Sequence, residues 1–286
     1  MFSLRSTAAI QGKLTRERIE VCKAESAAPT YDFLPLMPVA SSVTVADVLS
    51  RRGIGLPALC AGALIAIFSP VAHSGAPLVT DDAAIIEAKS CQLESWIEAS
   101  HGARAYWAVP ACNFTGRVEW AIAGAGVNPA DSPSSVWYAM QAKTVFAQGG
   151  DGFWSVGAVG GVIRDTGPVA SDASSTTYYG KALLSLYPSE VLEVDLNLGG
   201  SNVFGAGATV TAGAAVQYAV LPRATLLAEI FRDERGPGKF QLGARYAFLP
   251  SRLEGYLSYG NWLGNLTGSS WWAVAGIRIN TAPILP

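Results

Sequence analysis

The sequence predicts an all-β protein: an antiparallel, up-and-down transmembrane β-barrel of about 12 strands, preceded by an N-terminal signal peptide. Composition is the first reason. Only 15% of residues are charged, against 50% hydrophobic residues, 30 glycines and a positive mean hydropathy, whereas a soluble domain carries about 25% charged residues. Period-two alternation from residue 91 onward is the second. The third is an asymmetry of connections, short and long in turn, which is the habit of barrels that cross an outer membrane.

The leader comes first in the chain. Residues 1–50 have no strong periodicity and read as a poorly structured leader. Met37 would give a signal of ordinary length, so residues 1–36 are expected to lie upstream of the true start. Residues 51–74 read as a cleaved signal peptide. Arg51 and Arg52 form the basic region, Gly53 to Phe68 the apolar region, and Ala72-His73-Ser74 a small-residue cleavage site near Ser74. A transmembrane anchor is the alternative, but Pro57 and Pro70 interrupt a run already marginal against the roughly 20 apolar residues that a spanning helix needs. Cys60 makes no lipobox, because Leu59 stands where a small residue is required. Residues 75–90 are then expected to be a periplasmic N-terminal segment, 91–280 the barrel, and 281–286 a short tail.

Within the barrel, alternation places strands near 91–100, 103–109, 117–126, 135–147, 152–164, 176–187, 190–199, 207–219, 223–232, 238–248, 252–260 and 270–280. Most match the 9–11 residues that a tilted strand needs to cross a bilayer. Four turns are brief, "QGGD", "YPSE", "LPR" and "LPSR", and three set a proline beside a polar residue. Longer polar connections alternate with them: "NPADSP", "DTGPVASDASS", "RDERGPG" and "NWLGNLTGSS". "SHG" is short for an outside loop, and "PACNFTG" long for an inside turn.

Parity decides which face looks inward. In "EVDLNL", Glu193, Asp195 and Asn197 oppose Val194, Leu196 and Leu198; in the last strand Arg278 shares parity with Trp272 and Val274. A charge facing lipid at the midplane costs about 2–4 kcal/mol for Arg or Lys, so the charged rows face the lumen. The expected lining is Glu94, Glu98, Glu119, Glu193, Asp195, Glu229 and Glu254 against Lys143, Lys181, Lys239, Arg245, Arg252 and Arg278. Such a mixed lining gives weak ion selectivity if the lumen is open, or a pore-filling charge network if it is not. A soluble β-sandwich would instead turn the apolar faces inward. Tyr187, Tyr218, Phe248, Tyr259 and Trp271 near strand ends fit interfacial girdles.

Beyond the leader, the cysteines are Cys91, at the start of the first strand, and Cys112, in the second turn. The topology puts both at the periplasmic end of an exported chain, where a disulfide forms readily; two unpaired thiols are the alternative.

The segments "APLVTDDAAIIEAKSCQLESWIEA" and "AYWAVPACNFTGRVEWAIAGAGV" resemble the start of the outer-membrane, transporter-like barrels grouped under the MetA pathway of phenol degradation. The Pro-Leu-Val-Thr-Asp-Asp element from Pro77 to Asp82 carries the likeness, which covers Gly75 to about Val127. It implies a passage for small, hydrophobic or aromatic compounds. Those barrels usually end on an aromatic residue, whereas this chain ends "GIRINTAPILP".

The expected function is passive transport by a protein that is not an enzyme and needs no cofactor or metal. A net charge of −2 offers no basic surface to nucleic acid, and the chain has no Walker loop, zinc-type Cys/His spacing or HExxH. Its expected partners are outer-membrane lipid and lipopolysaccharide, the barrel-assembly machinery and a small-molecule solute. A structural or surface-binding barrel working through its outside loops is the alternative. A lipid hydrolase would need a nucleophile and base, for which His101 beside Ser100 in a tight hairpin offers only turn residues.

Overall fold

The computed structural model describes residues 77–131, 133–166, 176–204, 207–232, 237–264 and 270–285. The expected leader and signal peptide, and the centres of three long connections at 167–175, 233–236 and 265–269, lie outside the described residues.

Twelve strands form one closed antiparallel barrel: β1 (Ser90–Ser100), β2 (Ala103–Asn113), β3 (Val118–Pro129), β4 (Ser135–Gln148), β5 (Trp154–Asp165), β6 (Thr176–Ser189), β7 (Leu192–Val203), β8 (Gly207–Leu221), β9 (Ala224–Arg232), β10 (Lys239–Leu249), β11 (Leu253–Trp262) and β12 (Trp272–Asn280). Each strand pairs with its neighbours in sequence, and β1 closes on β12 with Glu94 opposite Arg278. There is no helix among the described residues. The expected strand order holds throughout.

Closure removes every sheet edge and satisfies the backbone within the wall. Side chains then divide by parity. Leu93, Ile97, Ile122, Met140, Leu198 and Leu257 are exposed on the outer wall, while their neighbours Glu94, Trp96, Ala121, Gln141, Asn197 and Ser258 are buried. Register shifts occur at Val145/Ala147, Leu186/Ser189, Ala219/Leu221 and Ala247/Leu249. All four lie at the short-turn rim, where bulges commonly end barrel pairing.

Two expectations need correction here. The second strand does not stop at 109: β2 runs through Pro110 to Asn113, and the turn is Phe114–Arg117. Proline reads as a turn because it lacks an N–H, yet the β2–β3 register is the same on both sides of it, Ala108 facing Gly124 and Ala111 facing Ala121. Cys112 is therefore a strand residue, directly across from Cys91, and the two form a disulfide. Chain-entropy arguments put its stabilisation at about 3 kcal/mol.

The second correction concerns residues 75–90, expected outside the barrel. Pro77 to Ile86 lie within the lumen, with Leu78, Val79, Thr80, Asp81, Asp82, Ala83 and Ile86 all buried. The chain turns into it at Lys89, which has a φ of 64° and is exposed with Glu87 and Ala88.

The short tail after β12 is fastened to the rim. Ile284 and Leu285 N–H groups both donate to the Lys89 carbonyl, and Thr281 exchanges hydrogen bonds with Cys91. Tail, disulfide and hinge thus fasten one another at the short-turn rim.

Candidate functional site

Inward parity assembles the site from many strands. Of the lining residues expected from sequence, Glu94, Glu119, Lys143, Glu193, Asp195, Glu229, Lys239, Arg245 and Arg278 are buried; Glu98, Lys181 and Glu254 are half-buried. Arg252 does not line the lumen. It is exposed in the turn before β11, where its N–H closes on the Leu249 carbonyl; strand parity had been extended into residues that are no longer strand.

Near the short-turn end, charges pair with one another. Arg278 Nε meets Glu94 Oε1 at 2.8 Å and its Nη1 meets Glu254 Oε2 at 3.3 Å, with Arg245 Nε 3.8 Å from the same Glu254 oxygen. Arg245 Nη2 donates to Gln217 Oε1 at 2.7 Å, and Gln217 Nε2 donates to Asp195 Oδ2 at 3.0 Å. Ser185 Oγ donates to the other Asp195 oxygen at 2.6 Å. Burying these ions is tolerable only because each has such partners. Neither oxygen of buried Glu193 has a hydrogen-bond partner among the described residues.

Glu119, Lys143, Lys181 and Glu229, with polar neighbours, hold the N-terminal segment. The Val79 and Thr80 N–H groups converge on the Glu229 carboxylate at 2.9–3.0 Å. The Asp81 N–H donates to Asn197 Oδ1, while Asn197 Nδ2 donates back to the Asp81 carbonyl, both at 2.7 Å. Ser185 Oγ accepts from Ala83 N–H, and Glu119 from Ile86 N–H. Gln241, Lys181 and Asn113 donate to the carbonyls of Pro77, Val79 and Ile86. Segment side chains are held as well: Lys143 Nζ lies 2.8 Å from Asp82, and Lys181 Nζ 3.1 Å from Asp81. Leu78 packs with Ala215 and Leu227, and Ala83 with Val159 and Leu183. At Gly213 an added Cβ would overlap Thr80 Oγ1.

Lys143 and Lys181 are level across the wall, because both pair in register with Val159 of the intervening β5. Two strand spacings separate them, roughly 9.6 Å. The carboxylates of Asp81 and Asp82, adjacent in sequence, diverge to reach one lysine each.

Above the charges lies an aromatic zone that sequence reasoning missed. Trp96 stacks on Trp107 with centroids 5.4 Å apart, Trp107 meets Trp137 edge-on at 6.1 Å, and Trp272 meets Phe231 likewise at 6.1 Å. Val79 and Ile86 join this cluster. Parity was the available signal, since Trp96 lies between Glu94 and Glu98. Of the expected girdle residues, Tyr218, Phe248 and Tyr259 are exposed and Trp271 half-buried. Tyr187 instead turns inward, its hydroxyl 3.4 Å from Ser155 Oγ. His101 is exposed at its hairpin, and Ser100 Oγ donates to the Ala103 carbonyl.

The family described as "Uncharacterised conserved protein UCP029691" matches residues 63–280, and the chain belongs to it. No curated protein matches the sequence. Among solved structures, the chain is similar to the KdgM porin in complex with disordered oligogalacturonate, with a TM-score of 0.53 and 11% identity over 67% of this chain and 99% of that one. It is also similar to the COG4313 outer membrane channel from Pseudomonas putida F1, with a TM-score of 0.52 and 11% identity over 70% of this chain and 98% of that one. At such identities the likeness is one of fold alone: a closed antiparallel β-barrel.

Proposed function

We propose that this protein is a passive channel for small solutes in the bacterial outer membrane, closed in the state described here by its own N-terminal segment. One observation carries the proposal. The outer wall is apolar, and the inner wall is polar and is occupied by a segment held through side chains, not through a backbone ladder. The apolar wall suits outer-membrane lipid, with lipopolysaccharide on one side and delivery by the barrel-assembly machinery. A signal cleaved near Ser74 would free the chain end just before Pro77, so that the segment can enter the lumen. Twelve strands enclose more than side chains alone can fill, which leaves room for a path once the segment departs. The indole-lined zone and the likeness of Pro77–Asp82 to the MetA-type barrels support hydrophobic or aromatic solutes.

The test is single-channel conductance of residues 75–286, refolded and inserted into a planar bilayer, before and after a lysine-specific endoprotease. Lys89 is exposed, whereas Lys143, Lys181 and Lys239 point into the lumen, so cleavage falls at the hinge. A variant lacking residues 75–88 serves the same purpose. Discrete open steps after cleavage are expected. A folded barrel that stays silent once the segment has left would sink the channel reading and favour a barrel whose ion-pair network is purely structural.

A further inference from the structure

We infer that the lumen wall is a recognition track for acidic peptides, and that residues 77–86 are its resident ligand. A segment that merely filled space would need shape alone. This one is read group by group. Glu229, Asn197, Ser185 and Glu119 accept its N–H groups; Gln241, Lys181, Asn197 and Asn113 donate to its carbonyls. Main-chain bonding of this kind provides affinity for any peptide, and pockets for side chains provide selection.

Selection comes from three places. Apolar Ala215 and Leu227 receive Leu78, two residues before Thr80. The missing Cβ of Gly213 makes room for Thr80. Lys143 and Lys181, level on β4 and β6, take one carboxylate each from adjacent residues. Exchanging Thr80 and Asp81 would take the carboxylate away from Lys181 and set it against Gly213 instead. The track therefore selects Thr-Asp-Asp over Asp-Thr-Asp, although the two have identical composition and charge.

While tethered, the resident segment has an effective concentration in the millimolar range or above, so free peptides compete poorly. Cutting at Lys89 removes that advantage and makes the track exchangeable. That bound peptides are also solutes of the channel rests on the channel reading; that they bind does not.

The experiment measures binding, not current. The refolded chain is cut at Lys89, the released segment is dialysed away, and labelled acetyl-Pro-Leu-Val-Thr-Asp-Asp-Ala-Ala-Ile-amide is titrated in by fluorescence anisotropy. The variant lacking residues 75–88 is titrated in parallel, with a heat-sensitive gel shift to certify folding. Saturable binding is expected. The peptide with both aspartates changed to asparagine and the Asp-Thr-Asp peptide should each bind at least about tenfold more weakly. Lys143→Met with Lys181→Met should erase that discrimination, and Gly213→Val should weaken all three peptides. Equal affinity for the three peptides, or no binding to a folded, emptied barrel at about 1 mM, overturns the inference. Selective binding to a barrel that never conducts upholds it while removing the channel reading.

Discussion

The wall and the segment inside it are built on opposite principles. The wall is joined by a continuous backbone ladder, closed where β1 meets β12, and any sequence of the right periodicity can make those bonds. Residues 77–86 make no ladder. Their backbone groups are met by wall side chains between 27 and 164 positions away. Changes in the wall ladder therefore act on the whole barrel, whereas changes in the holding side chains act first on the segment. On the proposed reading, stability and closure are separable.

Four variants sharpen that contrast, in order of expected effect. Arg278→Met should cost about 3–5 kcal/mol, because Glu94 and Glu254 would lose their shared cation in a buried site. Urea unfolding followed by tryptophan emission measures it. Leu196→Arg, midway along the outer face of β7, should cost about 2–4 kcal/mol in lipid and less in a detergent that thins around the charge. Cys91→Ser with Cys112→Ser should cost about 3 kcal/mol, read as a lower unfolding midpoint with unchanged current before cleavage. Glu229→Gln should lower global stability least. It exchanges a charge-assisted acceptor for a neutral one beneath Val79 and Thr80, worth about 1 kcal/mol. Its signature is more frequent opening of the uncut channel. If Glu229→Gln lowered the unfolding midpoint as far as Arg278→Met, closure and stability would not be separable.

The same contrast explains what could be read from sequence. Strand number, order and facing were legible because a half-buried strand writes its environment in every second residue. Leu196 beside Asp195 and Asn197 already tells outside from inside. Arg252 misled because parity carries no mark for where a strand begins, and the turn held it outside. Pro110 misled in the other direction, a missing N–H being tolerable in a ladder that keeps its register. The segment was illegible for a deeper reason: Pro77–Ile86 has no period, and its partners are distant. The Trp96–Trp107–Trp137 cluster lay within reach of parity, but aromatic residues in a barrel are first ascribed to the membrane interface.

The most direct measurement locks the segment in place. An ideal Cβ on Gly213 lies 3.4 Å from Thr80 Cβ, close to the Cβ separation of a disulfide, which is about 3.5–4.5 Å. In a chain carrying Cys91→Ser and Cys112→Ser, Thr80→Cys and Gly213→Cys should cross-link on oxidation. After cleavage at Lys89, the oxidised barrel should pass no current, and reduction should open it in discrete steps. Failure to cross-link, or the same current before and after reduction, would contradict the placement of this segment as the channel's closure.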